Sequence, residues 1–312
     1  MKTTQPLEIV SQQGDRDLAM VYVARLRESD AHAIEFVDAR DPALTPDQKR
    51  VVIISTQFGC PIACPICDAG GDYQGDLIPA EMLAQIDHVV ADYPKGWDTT
   101  ITKFKVQFAR MGEPALNQAV LDVLRELPGR YNAAGLIPCI ATIAPAHRQD
   151  WFDELIDIRH SVYAHKPFQL QFSIHSTDEK CRQTMMPANK LNFDELSRIA
   201  DRFITGGPRK VGLNFAFTSD TPLEPKVIAD HFNPTSCCIK ITPLNPTTRS
   251  QEHGFQTALP PEAPTRADLI CQEFEELGFD VIVSIGDERE NVIGSNCGFA
   301  VKHLREKGQD RS

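Results

Sequence analysis

Cys60, Cys64 and Cys67 crowd into one short stretch, "FGCPIACPICDAGG", from 58 to 71. Three and then two intervening residues let a compact loop turn its thiolates toward one centre, helped by Gly59, Pro61, Pro65, Gly70 and Gly71. Soft thiolates suit iron–sulfur clusters or zinc. A zinc site wants a fourth Cys or His at short spacing, and the next histidine, His88, falls in a predicted helix. An ordinary [4Fe–4S] electron carrier uses four cysteines, one per iron. Three leave one iron open to bind and activate another molecule, so the spacing predicts a [4Fe–4S] cluster with a reactive position.

The elements that must hold this loop follow a βα rhythm. Strands are expected at "VVIIS" from 51, "FKVQFA" from 104, "PCIATI" from 138, "FQLQFSI" from 168, "VGLNFAF" from 211 and "CCIKITP" from 237. Helical periodicity runs through "PAEMLAQIDHVVADY" from 79, "NQAVLDVLREL" from 117, "RQDWFDELIDIR" from 148, "NFDELSRIADRFI" from 192 and "TRADLICQEFEELGF" from 265, the last leading into a short strand, "DVIVSI". Before Val51, "DLAMVYVARL" and "HAIEFVDA" alternate apolar and polar residues, which predicts an antiparallel hairpin. The expected class is therefore α/β, with 1–50 as an N-terminal β-hairpin extension, 51–290 as a core barrel and 291–312 as a C-terminal cysteine loop and helix. The cysteine loop directly follows the first barrel strand, at the end where α/β barrels place their chemistry. The Pro-rich stretch "PLNPTTRSQEHGFQTALPPEAP" reads as a lid or binding loop.

Composition narrows the setting. The chain has 312 residues, 42% of them hydrophobic, enough for a sizeable core. No signal-peptide pattern or membrane-length apolar run is present, which predicts a cytoplasmic protein with no membrane partner. Nine cysteines in a reducing compartment read as metal ligands or core residues rather than as disulfides. With 43 acidic against 32 basic residues the formal charge is −11, which disfavours extended phosphate backbones as partners.

C-x3-C-x2-C after a first strand resembles the signature of radical S-adenosylmethionine (radical SAM) enzymes. Further segments resemble the radical SAM methylases that modify an adenine of 23S ribosomal RNA: "ISTQFGCPIACPIC", "RMGEPALN" at 110–117, "QFSIHSTDEKCRQTMMPANK" from 171, "IKITPLNPTTRS", and "ENVIGSNCGFAV" near the C-terminus. They occur in the family's order. The resemblance implies a partial (β/α)6 TIM-like barrel, a [4Fe–4S] cluster, S-adenosyl-L-methionine and an external electron donor of the flavodoxin or ferredoxin type.

It also implies roles, each with a plainer alternative. Gly112, Glu113 and Pro114 would receive the cofactor's ammonium group, or else form a strand-to-helix turn with Glu113 at a helix start. Ser173 and His175, alternating on the fourth strand, would reach its carboxylate or ribose; a core histidine is the alternative. Asn245 would read adenine or ribose, or form a turn. Thr142 is a further candidate on the third strand. Cys297 matches a cysteine that the family methylates and then uses as a carbon radical against an electron-poor aromatic carbon; the alternative is a buried structural thiol. Cys139, Cys181, Cys237, Cys238 and Cys271 read as core residues.

Two departures matter. The family's second essential cysteine, a base that releases the crosslinked product, falls at Ile53, which cannot take a proton; Cys139 is a conceivable substitute. The family's helical N-terminal domain, associated with RNA binding, has no counterpart in the fifty or so residues before the first barrel strand. With the acidic charge, this favours a small molecule or peptide as substrate, with RNA as the alternative.

Overall fold

In the computed structural model, residues 7–41, 43–45, 47–93, 101–218, 221–257, 265–286, 289, 293–294 and 300–302 are described. The chain divides into two compact units, one of residues 1–61, 68–140 and 287–312, the other of 62–67 and 141–286.

The first unit opens with β1 (Glu8–Asp15), β2 (Ala19–Arg25) and β3 (Ala33–Arg40), paired antiparallel in order. The expected hairpin is thus a three-strand meander. β1 escaped the pattern because "EIVSQQGD" lacks apolar alternation and is mostly exposed; main-chain pairing with β2 holds it. β3 also runs antiparallel to β4 (Lys49–Ile54), after which pairing turns parallel through β5 (Lys103–Phe108) to β6 (Leu136–Thr142). Helices α1 (Pro79–Ala91) and α2 (Ala119–Arg130) make the two crossovers.

The second unit continues with α3 (Gln149–Ser161), β7 (Gln169–Ser173), α4 (Glu179–Met185), α5 (Phe193–Ile204), β8 (Val211–Phe217), α6 (Pro225–His231), β9 (Cys237–Pro243), α7 (Thr248–Glu252), α8 (Thr265–Glu276) and β10 (Asp280–Val283). Strands β7, β8, β9 and β10 pair parallel in that order. α5 shows how local sequence sets an element. Asn192 accepts the Glu195 N–H at 2.9 Å while Glu195 accepts the Asn192 N–H at 2.8 Å, a capping box ahead of a buried Leu196, Ile199, Ala200 and Phe203 stripe. α4 and α6, seven residues each, were too short to show a period. Part of the Pro-rich stretch is α7, and 258–264 lie outside the described residues.

In each unit, strands alternate between a fully buried sheet face and a less buried one. Val52, Ile54, Phe104, Val106 and Phe108 are fully buried, and Phe172 and Phe215 meet Phe152 and Phe274 with ring centroids 6.3 and 6.2 Å apart. The alternate positions, Val51, Ile53, Lys105 and Gln107 in one unit and Gln171, Ser173 and Lys240 in the other, are only half-buried. Among the described residues, no helix is long and apolar enough to cross a membrane.

Candidate functional site

The entry to the cysteine loop is built in the first unit. Phe58 N–H donates to Gly75 O at 2.9 Å and Gln74 N–H to Phe58 O at 2.8 Å, and Cys60 and Gly71 exchange both main-chain bonds at 3.2 and 2.9 Å. This short antiparallel neck needs Gly59. Its φ is +78°, and a Cβ there would lie 2.5–2.6 Å from the carbonyl oxygens of Asp72 and Gly71. Beneath it, Phe58 is fully buried with the Arg27 guanidinium 4.7 Å from its ring centre. Arg27 also makes a fork to Glu81 at 2.6 and 2.7 Å, and Glu81 accepts the Ile78 N–H that opens α1.

Cys64 and Cys67 belong to the second unit. Cys67 N–H closes a turn onto Cys64 O at 3.2 Å, following Ala63 in left-handed conformation at φ +56°. Two side chains grip the outside of this turn: Thr247 Oγ1 donates to Ile66 O at 3.1 Å, and Arg249 Nη2 to Ala63 O at 3.0 Å. Both lie in the "NPTTRS" segment from which the sequence analysis singled out only Asn245. Lys190 holds the Met–Pro turn together, donating to Gln183 Oε1, Met186 O and Ala188 O at 2.7–3.1 Å. Burial lowers its pKa, with Arg182 acting in the same direction and Glu179 and Cys64 opposing. Cys64 is therefore within electrostatic reach of this ammonium group.

Cys60, Cys64 and Cys67 form no disulfide and are of intermediate exposure. Among the described residues, no three His, Cys, Asp or Glu side chains are gathered as a ready-made metal site; ligand thiolates repel one another until a cation draws them in. The donor set still fits an iron–sulfur cluster: three thiols outside any disulfide, on a loop whose main chain is tied down at both flanks.

The segment after β5 is tied to the chain leading into that loop. Met111 O accepts from the N–H groups of Thr56 and Gln57 at 2.8 and 3.3 Å. Gln57 Oε1 accepts the Glu113 N–H at 2.8 Å, and Asn117 Nδ2 donates to Thr56 O and Leu77 O at 2.7 and 2.8 Å. Gly112 has φ +99°, and a Cβ would lie 2.6–2.7 Å from the Gln57 and Thr56 side chains. The Glu113 carboxylate is buried and accepts the Ala115 N–H at 3.0 Å, capping a short 3-10 turn that begins at Pro114. Its capping alternative is thus realised. Glu35, fully buried on β3, pairs with Arg110 at 2.7 Å and accepts the N–H groups of Ala300 and Val301 at 3.0 and 3.1 Å.

Other candidates lie in the second unit. β7 ends at Ser173, so the alternation expected to carry on to His175 is broken. His175 takes a left-handed φ of +62°, and its N–H and that of Ile174 both donate to Asn214 O. Its Nδ1 accepts the Ala216 N–H at 3.0 Å, which places the ring proton on Nε2. Burial, with the Arg182 charge nearby, lowers its pKa to about 4, so the ring is neutral at pH 7. Thr142 is buried and its hydroxyl accepts the Ala144 N–H at 2.9 Å. Asn245 is exposed, and its main-chain oxygen accepts from Thr247 N–H and Ser250 Oγ. Cys297 lies outside the described residues.

Ile53, Gln107 and Cys139 occupy one register row across β4, β5 and β6. Cys139 is therefore on the same sheet face as Ile53, two strands or about 10 Å away.

No family model matches the chain. A probable dual-specificity RNA methyltransferase RlmN from Mycolicibacterium vanbaalenii is 28% identical over 222 residues, covering 66% of this chain and 57% of that protein. A dual-specificity RNA methyltransferase RlmN from Sulfurovum is 22% identical over 313 residues, covering 92% and 82%. A radical SAM methyltransferase from Sphaerobacter thermophilus superposes with a TM-score of 0.74 at 21% identity, over 95% of this chain and 81% of that one. The chain has the radical SAM fold and resembles the RlmN methyltransferases. The fold class is thus the expected partial (β/α)6 type with N-terminal antiparallel strands. The chain spans about three fifths of the length of the mycobacterial relatives it matches, at 57% and 61%.

Proposed function

We propose that this chain is a radical SAM enzyme that binds a [4Fe–4S] cluster on Cys60, Cys64 and Cys67 and S-adenosyl-L-methionine near Gly112, Glu113, Pro114, Ser173, His175 and Asn245, with Thr142 bracing the turn after β6. The observation that carries this is the cysteine loop: Gly59, Thr247 and Arg249 fix its main chain, and its three cysteines at C-x3-C-x2-C form no disulfide. When bound and reduced by a flavodoxin- or ferredoxin-type donor, the cluster supplies the electron for reductive cleavage of S-adenosylmethionine. Gly112 lets a ligand approach the main chain closely, and neutral His175 offers an Nε2 proton as a donor. Cys297 would carry a methyl group as a thioether, from which an unsaturated or heteroaromatic carbon is functionalised.

The substrate we favour is a small molecule or a peptide in the cytoplasm, because a chain of formal charge −11 is poorly suited to a phosphate backbone. The names of the RlmN relatives favour a second reading, an RNA adenine methyltransferase with a different resolving base. The test is anaerobic reconstitution followed by peptide mass spectrometry after incubation with S-adenosylmethionine carrying a deuterated methyl group. Label on the Cys297 peptide is expected. 5′-Deoxyadenosine without that label would leave a radical enzyme but remove the methyl-carrier role, and neither product would sink the proposal. Methylation of unmodified ribosomal RNA by the same preparation would decide for the RNA reading.

A further inference from the structure

The less buried sheet face of the second unit carries a polar row. Ser173 on β7, Asn214 on β8 and Lys240 on β9 stand opposite one another in the parallel register, with neighbouring strands about 4.8 Å apart. Ser173 and Lys240 are half-buried. Gly212, two residues before Asn214 and on its face, presents no side chain. Lys240 Nζ lies 3.4 Å from Gln171 Oε1 on that face, adding a positive charge.

Asn214 is the unusual member. It is 8% exposed, and among the described residues its Oδ1 has no hydrogen-bond partner. Its main-chain oxygen is fully used, accepting from Ile174 and His175. A buried, unpaired amide oxygen costs stability, and leucine has the same branching and number of side-chain heavy atoms without that cost. A carboxamide retained under these conditions has a partner to meet.

We propose that Asn214 and Lys240 of this row read the acceptor substrate, taking an amide or amidine edge on Asn214 and an anionic group on Lys240, while Ser173 beside them stays with the cofactor. A carboxamide sets a donor beside an acceptor and so matches an edge that presents an N–H next to an acceptor, as asparagine does with adenine. Lys240 sits three residues inside the end of β9, whereas Asn245 lies two beyond it. Cofactor and acceptor therefore use different levels of the same strand. The inference rests on the reading of this chain as a radical SAM enzyme. Two ligand sources share this chemistry: a nucleotide, and an acylated amino acid or peptide end.

The test uses cluster-loaded protein saturated with S-adenosylhomocysteine, titrated calorimetrically with adenosine 5′-monophosphate and, separately, with N-acetylglycine. One of the two is expected to bind, and which one binds names the source. Binding should weaken tenfold or more in Asn214→Asp, which keeps the shape but loses the donor, and in Lys240→Met. Asn214→Leu should lose binding while melting at or above the wild-type temperature, a combination that a structural carboxamide does not produce. Binding of neither probe, indifference to Asn214→Asp, or a clear drop in melting temperature in Asn214→Leu would overturn the assignment. Failure of S-adenosylhomocysteine itself to bind would instead overturn the functional reading on which the row depends.

Discussion

Two regions treat their polar groups in opposite ways: the entry to the cysteine loop, and the ends of β7 and β8. At the entry to the cysteine loop, in the first unit, Ser55, Gln57, Asn117 and Glu35 are buried and spend their side chains on the protein's own main chain or on Arg110. In the second, Asn214 keeps an unpaired carboxamide oxygen, and His175 uses one ring nitrogen on Ala216, which leaves the Nε2 proton for another partner. Saturated networks rigidify a frame, whereas unspent groups await a ligand. One region thus holds a loop still, and the other is built to read what is brought to it.

The contrast can be broken first at Glu35. Replacing it with alanine leaves Arg110 buried without its counter-charge, and equilibrium urea unfolding should show a loss of about 3–5 kcal/mol. A loss under about 1 kcal/mol would mean that the first unit does not depend on its saturated network.

His175 tests the second unit through pH. Its folded pKa of about 4 lies below the ordinary 6.5, so the unfolded chain binds more protons between those values. The stability due to the neutral ring is therefore fully present above about pH 6.5 and lost as pH falls toward 4, by at most about 3 kcal/mol. Urea midpoints of wild type and His175→Gln, compared from pH 7.5 to 4, should diverge in that window; parallel curves would contradict the buried neutral ring.

Gly112→Ala forces a Cβ into Gln57 and Thr56 at a positive φ. A cost of about 1–3 kcal/mol is expected by thermal or urea unfolding, with weaker binding of S-adenosylhomocysteine. The smallest effect belongs to Lys190→Met. Removing the ammonium near Cys64 should slow alkylation of that thiol in the iron-free protein, on the order of two- to fivefold. An unchanged rate would show that the charge does not reach the loop.

Much of this was legible in the chain. The strands at 211–217 and 237–243 stand where β-branched and apolar runs put them, and α5 starts at its capping box. The cysteine spacing named its own chemistry. β1 was not legible because its pairing is through main-chain groups, which any residue carries. His175 was misplaced because alternation assumes a continuing strand, while the chain turns left-handed at that residue. Thr247, Arg249 and Lys190 were overlooked because a hydroxyl, a guanidinium or an ammonium that bonds a distant carbonyl looks like any surface residue until the fold brings the carbonyl near.

The sequence by itself determined the kind of protein: three thiols at C-x3-C-x2-C after a strand, the order of βα units, and an acidic surface. These follow from residue type and short spacing, which local physics reads directly. Only the tertiary structure decided which groups are spent and which remain open. It put Ile53 and Cys139 in one row, made the Glu113 carboxylate a cap, and left Asn214 unpaired between Ser173 and Lys240. Whether a polar group has a partner depends on residues far away in the chain, and burial sets the energy of that outcome.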